Sequence, residues 1–248
     1  DSTLVSSDFP GYTRTRLREA SGEELTVLYH TGPSGNQSPR YSVRAHTFEE
    51  AERLGRLLGE SVLGSISDAE FREDALLDGV ITSVDLPPRC VPPLSEAEER
   101  LRQCAADYER LKRENANPGA IRTAECAVFG AEEAVVLSKF QESGELSNLI
   151  QAYTPAEVQA LRIGDCFLVG LPGEVFVEYG LQIKAQAPAG VFVVSLVNGD
   201  LQGYIVTPEA VAMGSYEASN SLFEPAAGRI MVDAVLKLIS RMRISVLL

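Results

Sequence analysis

The stretch that decides the fold runs from Leu168 to Glu217: LVGLPGEVFVEYGLQIKAQAPAGVFVVSLVNGDLQGYIVTPEAVAMGSYE. It reads as a strand, a sharp Pro172-Gly173 turn, an acid at Glu174, a helix over 175–187, a buried strand over 191–197, and Gly203-Tyr204 in a polar loop. In a parallel α/β sheet, Glu174 and Tyr204 then emerge near the carboxyl ends of neighbouring strands, where such folds place their ligands. A carboxylate and a phenol brought together there have the chemistry to bind a metal or to polarise a substrate.

Downstream, residues 228–243 read as a closing helix. Upstream, Gln159–Ile163 and Cys166–Leu171 are strands, paired or consecutive, around Gly164-Asp165. Gly79–Leu86 alternates as a strand, and PPRCVPPL after it is a stiff extended connector. Ser95–Asn115 and Ala120–Gln141 are charged amphipathic helices flanking the breaker Asn117-Pro118-Gly119, with Ser95 and Glu98 as a capping box. Residues 94–141 are therefore expected to form an inserted antiparallel helical hairpin packed on the body; a partner-binding coiled coil is the other reading. Cys104 and Cys126 lie symmetrically about that turn, which brings them within disulfide reach if the helices face each other.

Towards the N-terminus, Thr47–Leu63 is an amphipathic helix in which Thr47 caps, Glu50 completes the capping box, and Ala51, Leu54, Leu57, Leu58 and Val62 repeat at helical spacing. Thr13–Ala20 reads as a helix after the turn Asp8-Phe-Pro-Gly-Tyr12, and Leu25–His30 as a short β-type run. Strand and helix alternate at both ends of the chain. The expected class is α/β, a mixed sheet flanked by helices.

Composition sets the outer bounds. With 248 residues and 45% apolar content, the chain has enough apolar surface for one large or two modest domains. A formal charge of −13 argues against general binding to nucleic acid or anionic membranes, which needs clustered Lys and Arg. No apolar run approaches the roughly 20 residues of a spanning helix. The four cysteines show no Cys-x-x-Cys spacing, so a structural zinc knuckle is not expected. The sequence starts at Asp1 without a signal-peptide pattern, so a longer precursor with an unseen leader is compatible with it.

Taken singly, the candidate site residues are ambiguous. The loop Gly32-Pro-Ser-Gly-Asn-Gln-Ser38-Pro-Arg40 has small residues that let backbone approach a ligand, yet it is neither a Walker loop nor a Gly-x-Ser-x-Gly elbow. An ordinary surface loop reads equally well. Glu174 suits the first turn of a helix on dipole grounds alone. Tyr204 alone is a half-buried aromatic. His30 and His46 lack metal-ligand spacing, and neither is expected to bind one.

Five segments in order, SSDFPGY, GNQSPRY, TFEEAERLG, LRIGDCFLVGLPGEVFVEYG and GYIVTPEAVAMGSYE, resemble the neutral/alkaline ceramidase family, most of all its shorter bacterial members. The likeness covers nearly the whole chain. It implies that residues 1–248 are the C-terminal portion of one catalytic domain, acting in lipid metabolism by zinc-dependent hydrolysis of a linear N-acyl amide. It also implies residue roles. Glu174 matches the family's zinc-binding glutamate in a Pro-Gly-Glu turn, and Tyr204 its zinc-binding tyrosine. Ser38 matches a serine placed at the scissile amide as nucleophile or clamp. Gly35, Asn36 and Tyr216 match positions at the substrate. Zinc would polarise the carbonyl and acidify water, while Tyr204 would bind zinc directly or hydrogen-bond the developing oxyanion.

The family's zinc-binding histidines lie upstream of the segment matching Asp1, and His30 and His46 fall on no ligand position. An N-terminal companion, either processed from one precursor or a separate subunit, is therefore expected to carry them. Two other readings remain at this point: a non-catalytic scaffold that keeps the fold without metal, and a metal-free esterase using Ser38.

Overall fold

The computed structural model describes residues 3–39, 42–66, 68–70, 74–188, 190–201 and 203–244. Arg40, at the end of the small-residue loop, lies outside the described residues. The chain divides into two compact units, one of residues 1–30 with 38–75 and one of residues 31–37 with 76–248.

The first unit is built on α1 (Asp8–Ser21) and α2 (Phe48–Ile66), which pack against each other. As expected, Thr47 caps α2, its hydroxyl accepting from the Glu50 amide at 3.3 Å. Glu50 does not return to the cap. Its carboxylate takes Arg53 at 2.6 Å and the Arg44 amide at 2.9 Å, which together hold its pKa down at about 2. The two helices touch through Gly55 and Gly59 rather than through the leucine stripe. A Cβ on Gly55 would stand 2.4 Å from the Phe9 carbonyl oxygen, and Leu57 is 54% exposed. The smallest residues define where two backbones come closest, and that overrides the apolar periodicity. Leu25–His30 forms no strand, which corrects the expectation. Among the described residues no neighbouring backbone offers it a ladder; Leu28 is exposed and the Tyr29 ring meets Phe9 edge-on at 5.7 Å.

The second unit carries β1 (Leu77–Val84), β2 (Ala156–Ile163), β3 (Cys166–Gly170), β4 (Glu174–Val175), β5 (Val191–Val194) and β6 (Tyr204–Ile205). Four of these make a sheet in the order β1-β2-β3-β5. The β1–β2 and β2–β3 pairs are antiparallel, the latter turning at Gly164-Asp165, and β3–β5 is parallel, so the sheet is mixed as expected. The parallel pair is joined through a crossover that contains α6 (Val177–Gln186).

Alternation along the strands separates two faces. Val158, Ala160, Phe167, Val169, Val191 and Val193 point into the core, where α9 (Ala226–Ile244) contributes Met231, Val235, Leu238 and Ile239. The opposite face is also apolar but uncovered. Leu77 pairs with Ile163, and Leu161, Leu168 and Phe192 run across adjoining strands. On that face Leu77, Leu161, Ile163 and Phe192 are all about half exposed or more.

Between β1 and β2 come α3 (Leu94–Arg113), α4 (Pro118–Ser143) and α5 (Glu145–Tyr153). Asn117 caps α4 through the Gly119 amide at 2.8 Å. Ala97 packs with Ala134 and Val135, and the Tyr108 hydroxyl reaches Glu125 at 3.4 Å. These contacts run in opposite sequence directions about the turn, so α3 and α4 are antiparallel. All four cysteines are free thiols, Cys104 and Cys126 included. Among the described residues, no helix is long and apolar enough to cross a membrane.

One buried group gives this core a pH limit. Tyr179 on α6 is 4% exposed, and its hydroxyl lies 2.9 Å from the Val206 carbonyl and 3.1 Å from that of Pro225. Burial, then the charges of Glu209 and Glu178, push its pKa up from 10.0 to about 12. A raised folded-state pKa contributes stability that is complete below pH 10.0 and is lost as pH rises through about 12. Denaturant titrations across that window are expected to show stability falling in the native chain and falling less in Tyr179→Phe. Identical slopes would disprove the assignment.

Candidate functional site

The site begins where the main sheet stops. Beyond β3, the Leu171 amide donates to the Val194 carbonyl at 2.9 Å, and Gly173 takes a φ of +75° that favours glycine. The chain then enters β4, which pairs in parallel with β6, placing Glu174 directly opposite Tyr204. Backbone bonds fix that register: Glu174 N to Gly203 O and Phe176 N to Ile205 O, both at 3.1 Å. Glu174 and Tyr204 are thus brought together, but not at the ends of neighbouring strands of the main sheet. They face each other across a second, two-residue sheet beyond it, with Tyr204 in a strand rather than a polar loop. Of the main strands, β3 ends at Gly170 and β5 at Val194, and the short β4–β6 ladder lies beyond them.

The ladder sets the two side chains side by side, and the Tyr204 pKa is raised first by burial and next by the Glu174 charge. After β6 come α7 (Pro208–Met213), capped by Thr207, and the single-turn α8 (Tyr216–Ser219), capped by Ser215. These caps deliver Tyr216 edge-on to Tyr204, ring centroids 6.1 Å apart at 71°. Burial raises the Tyr216 pKa, aided by Cys126, Glu174, Glu133 and Glu217. Gly130 of α4 lets that helix approach: a Cβ there would already lie 3.4 Å from the Tyr216 ring. Sequence reasoning missed the α4 contribution, and the only visible signal was a glycine inside an otherwise apolar helical run.

Gly35 and Asn36 lie behind Glu174. The Gly35 amide donates to the Val175 carbonyl at 2.9 Å, and a Cβ on Gly35 would stand 2.3 Å from the Glu174 carbonyl oxygen. Asn36 is engaged by α6: its Oδ1 accepts from the Val177 amide at 2.9 Å and its amide donates to Glu178 at 2.8 Å. It acts as a helix cap supplied from a distant loop. Asn36→Ala is expected to cost about 1 kcal/mol, measured by urea denaturation, with Asn36→Asp keeping the cap but opposing the Glu178 charge. No change in Asn36→Ala would refute the capping role.

Ser38, His30 and His46 belong to the first unit. Ser38 and His46 line a cavity there of about 760 Å³ with Asp8, Phe9, Val43 and Phe48. Among the described residues, no three His, Cys, Asp or Glu side chains converge on a metal position. Glu174 and Tyr204 offer a carboxylate and a phenol oxygen, which fit two positions of a zinc shell that takes three or four protein ligands.

No family model and no curated protein matches this sequence. Solved structures that it resembles include the neutral ceramidase from Pseudomonas aeruginosa, at 18% identity and a TM-score of 0.53. Another is a ceramidase complexed with C2, at 17% identity and a TM-score of 0.55. Each likeness covers 97% of this chain but only 42% and 43% of the respective ceramidase chains. The chain therefore spans less than half the length of these structures, and the likeness is one of fold.

Proposed function

We propose that this chain is the C-terminal portion of a zinc-dependent amide hydrolase of ceramidase type, acting on a linear, lipid-like N-acyl amide. The observation that carries the reading is the β4–β6 register, which opposes Glu174 to Tyr204 closely enough for the Glu174 charge to raise the Tyr204 pKa. The shared fold supports it. A companion segment supplies the histidine ligands.

In this reading Glu174 and Tyr204 hold the metal, which contributes Lewis acidity at the scissile carbonyl and acidifies the attacking water. If Tyr204 instead stands free of the metal, its phenol, kept protonated by burial, would donate to the oxyanion as charge develops. Tyr216 fixes the Tyr204 ring. Gly35 and Asn36 brace the backbone behind Glu174. The incomplete ligand set favours a second reading, a non-catalytic relative that keeps the fold without metal. Equilibrium dialysis of zinc against the native protein and Glu174→Gln separates the two. Stoichiometric zinc lost in the variant supports the hydrolase; no zinc in either supports the scaffold.

A further inference from the structure

The extended connector before α3 carries an arginine that this chemistry leaves unused. Pro88 bridges to Phe223, the Arg89 amide donates to the Leu222 carbonyl at 3.0 Å, and Glu224 N donates to the Pro87 carbonyl at 2.9 Å. That antiparallel tie sets the Arg89 guanidinium at the carbonyl end of α8. There it donates to the carbonyl oxygens of Ala218 and of Ser219, the latter at 2.8 Å. Its Nε is buried without a hydrogen-bond partner, and burial lowers its pKa despite the nearby Glu133. A cation kept there at a desolvation cost, on the terminal carbonyls of a one-turn helix, is a fixed strut and not a surface charge.

The strut reaches the site by two routes. Its helix begins with Tyr216, whose ring abuts Tyr204. Its other end runs into Asn220, whose carbonyl oxygen would lie 2.5 Å from a Cβ on Gly203. Gly203, at a φ of +85°, in turn accepts the Glu174 amide. We propose that Arg89 is a positioning residue: by clamping the carbonyls of Ala218 and Ser219 it sets the contact of α8 with β6 that keeps Tyr204 and Glu174 opposed. It touches neither donor. Its significance for zinc rests on the hydrolase reading, whereas its hold on the two tyrosine rings does not.

The test uses the native protein labelled with fluorotyrosine, with the Tyr204 and Tyr216 fluorine resonances assigned from Tyr→Phe variants. Arg89→Met keeps the side-chain length and removes every donor. It is expected to shift or broaden both resonances, leave those of Tyr12 and Tyr108 in place, and weaken zinc binding by about 10-fold, the lower range for a group that orients a ligand. Arg89→Lys, retaining part of the donation, falls between. Val80→Ala, which loosens the main sheet, lowers the melting temperature without moving either resonance. The proposal is overturned if both resonances stay in place in folded Arg89→Met, or if Val80→Ala moves them equally. Should Arg89→Met fail to fold, Arg89→Lys decides by the same two resonances. Displaced resonances in a protein that takes up no zinc would keep the clamp and remove the hydrolase reading.

Discussion

On the proposed hydrolase reading, Glu174→Gln is expected to abolish zinc binding and amide hydrolysis while leaving the fold intact. Orienting groups one step removed from a metal commonly contribute 10–100-fold, so loss of a charged ligand is expected to cost at least about 100-fold in zinc affinity. Activity should fall in parallel. The fold has no reason to follow, because the β4–β6 pairing that places Glu174 is made by backbone groups. Gln has nearly the same shape. It also removes one negative charge from a pocket that already contains the influence of Glu133 and Glu217 on Tyr216. The melting temperature is therefore expected to hold or rise. A structural acid would give the reverse, lost stability with zinc retained, and that pair of results would sink the hydrolase reading.

How much of this was legible before the structure depends on the kind of interaction. The β2–β3 hairpin and the β3–α6–β5 crossover were readable because a Gly-Asp turn and a Pro-Gly turn punctuate apolar runs of strand length. The pairing of Glu174 with Tyr204 was readable as proximity but not as register, since a two-residue ladder leaves no periodic trace in sequence. Leu25–His30 shows the converse. Its composition suits a strand, but a strand exists only where another backbone completes it. Gly55 and Gly59 decided how α1 meets α2 by what they lack, which an apolar pattern does not register. Arg89 was invisible for a related reason: it binds carbonyl oxygens, and every residue type has one.

Gly228→Ala is expected to be the most damaging small substitution in the second unit. Gly228 lies in α9, where Ala in place of Gly gains about 1 kcal/mol on helix propensity alone. Against that, a Cβ at this position would fall 2.0 Å from Cζ of Tyr179, 2.2 Å from Cε2 and 2.5 Å from Cε1. The ring has nowhere to go. It is buried, and its hydroxyl is tied to the carbonyls of Val206 and Pro225. Overpacking of a rigid core contact costs up to about 3 kcal/mol and occasionally more, which exceeds the propensity gain. Net destabilisation is the expected sign, read as a lower urea midpoint at unchanged slope. A double-mutant cycle localises the cause. With Tyr179→Ala as background the ring is gone, so Gly228→Ala should become neutral or stabilising, revealing the propensity gain that the clash conceals. A loss of the same size in both backgrounds would mean that α9 is perturbed elsewhere. The contact also bears on the site, because Val206 follows Tyr204 by two residues and its carbonyl is held by this ring. Relaxing Tyr179 to admit a methyl group must either give up that hydrogen bond or drag the end of β6 with it.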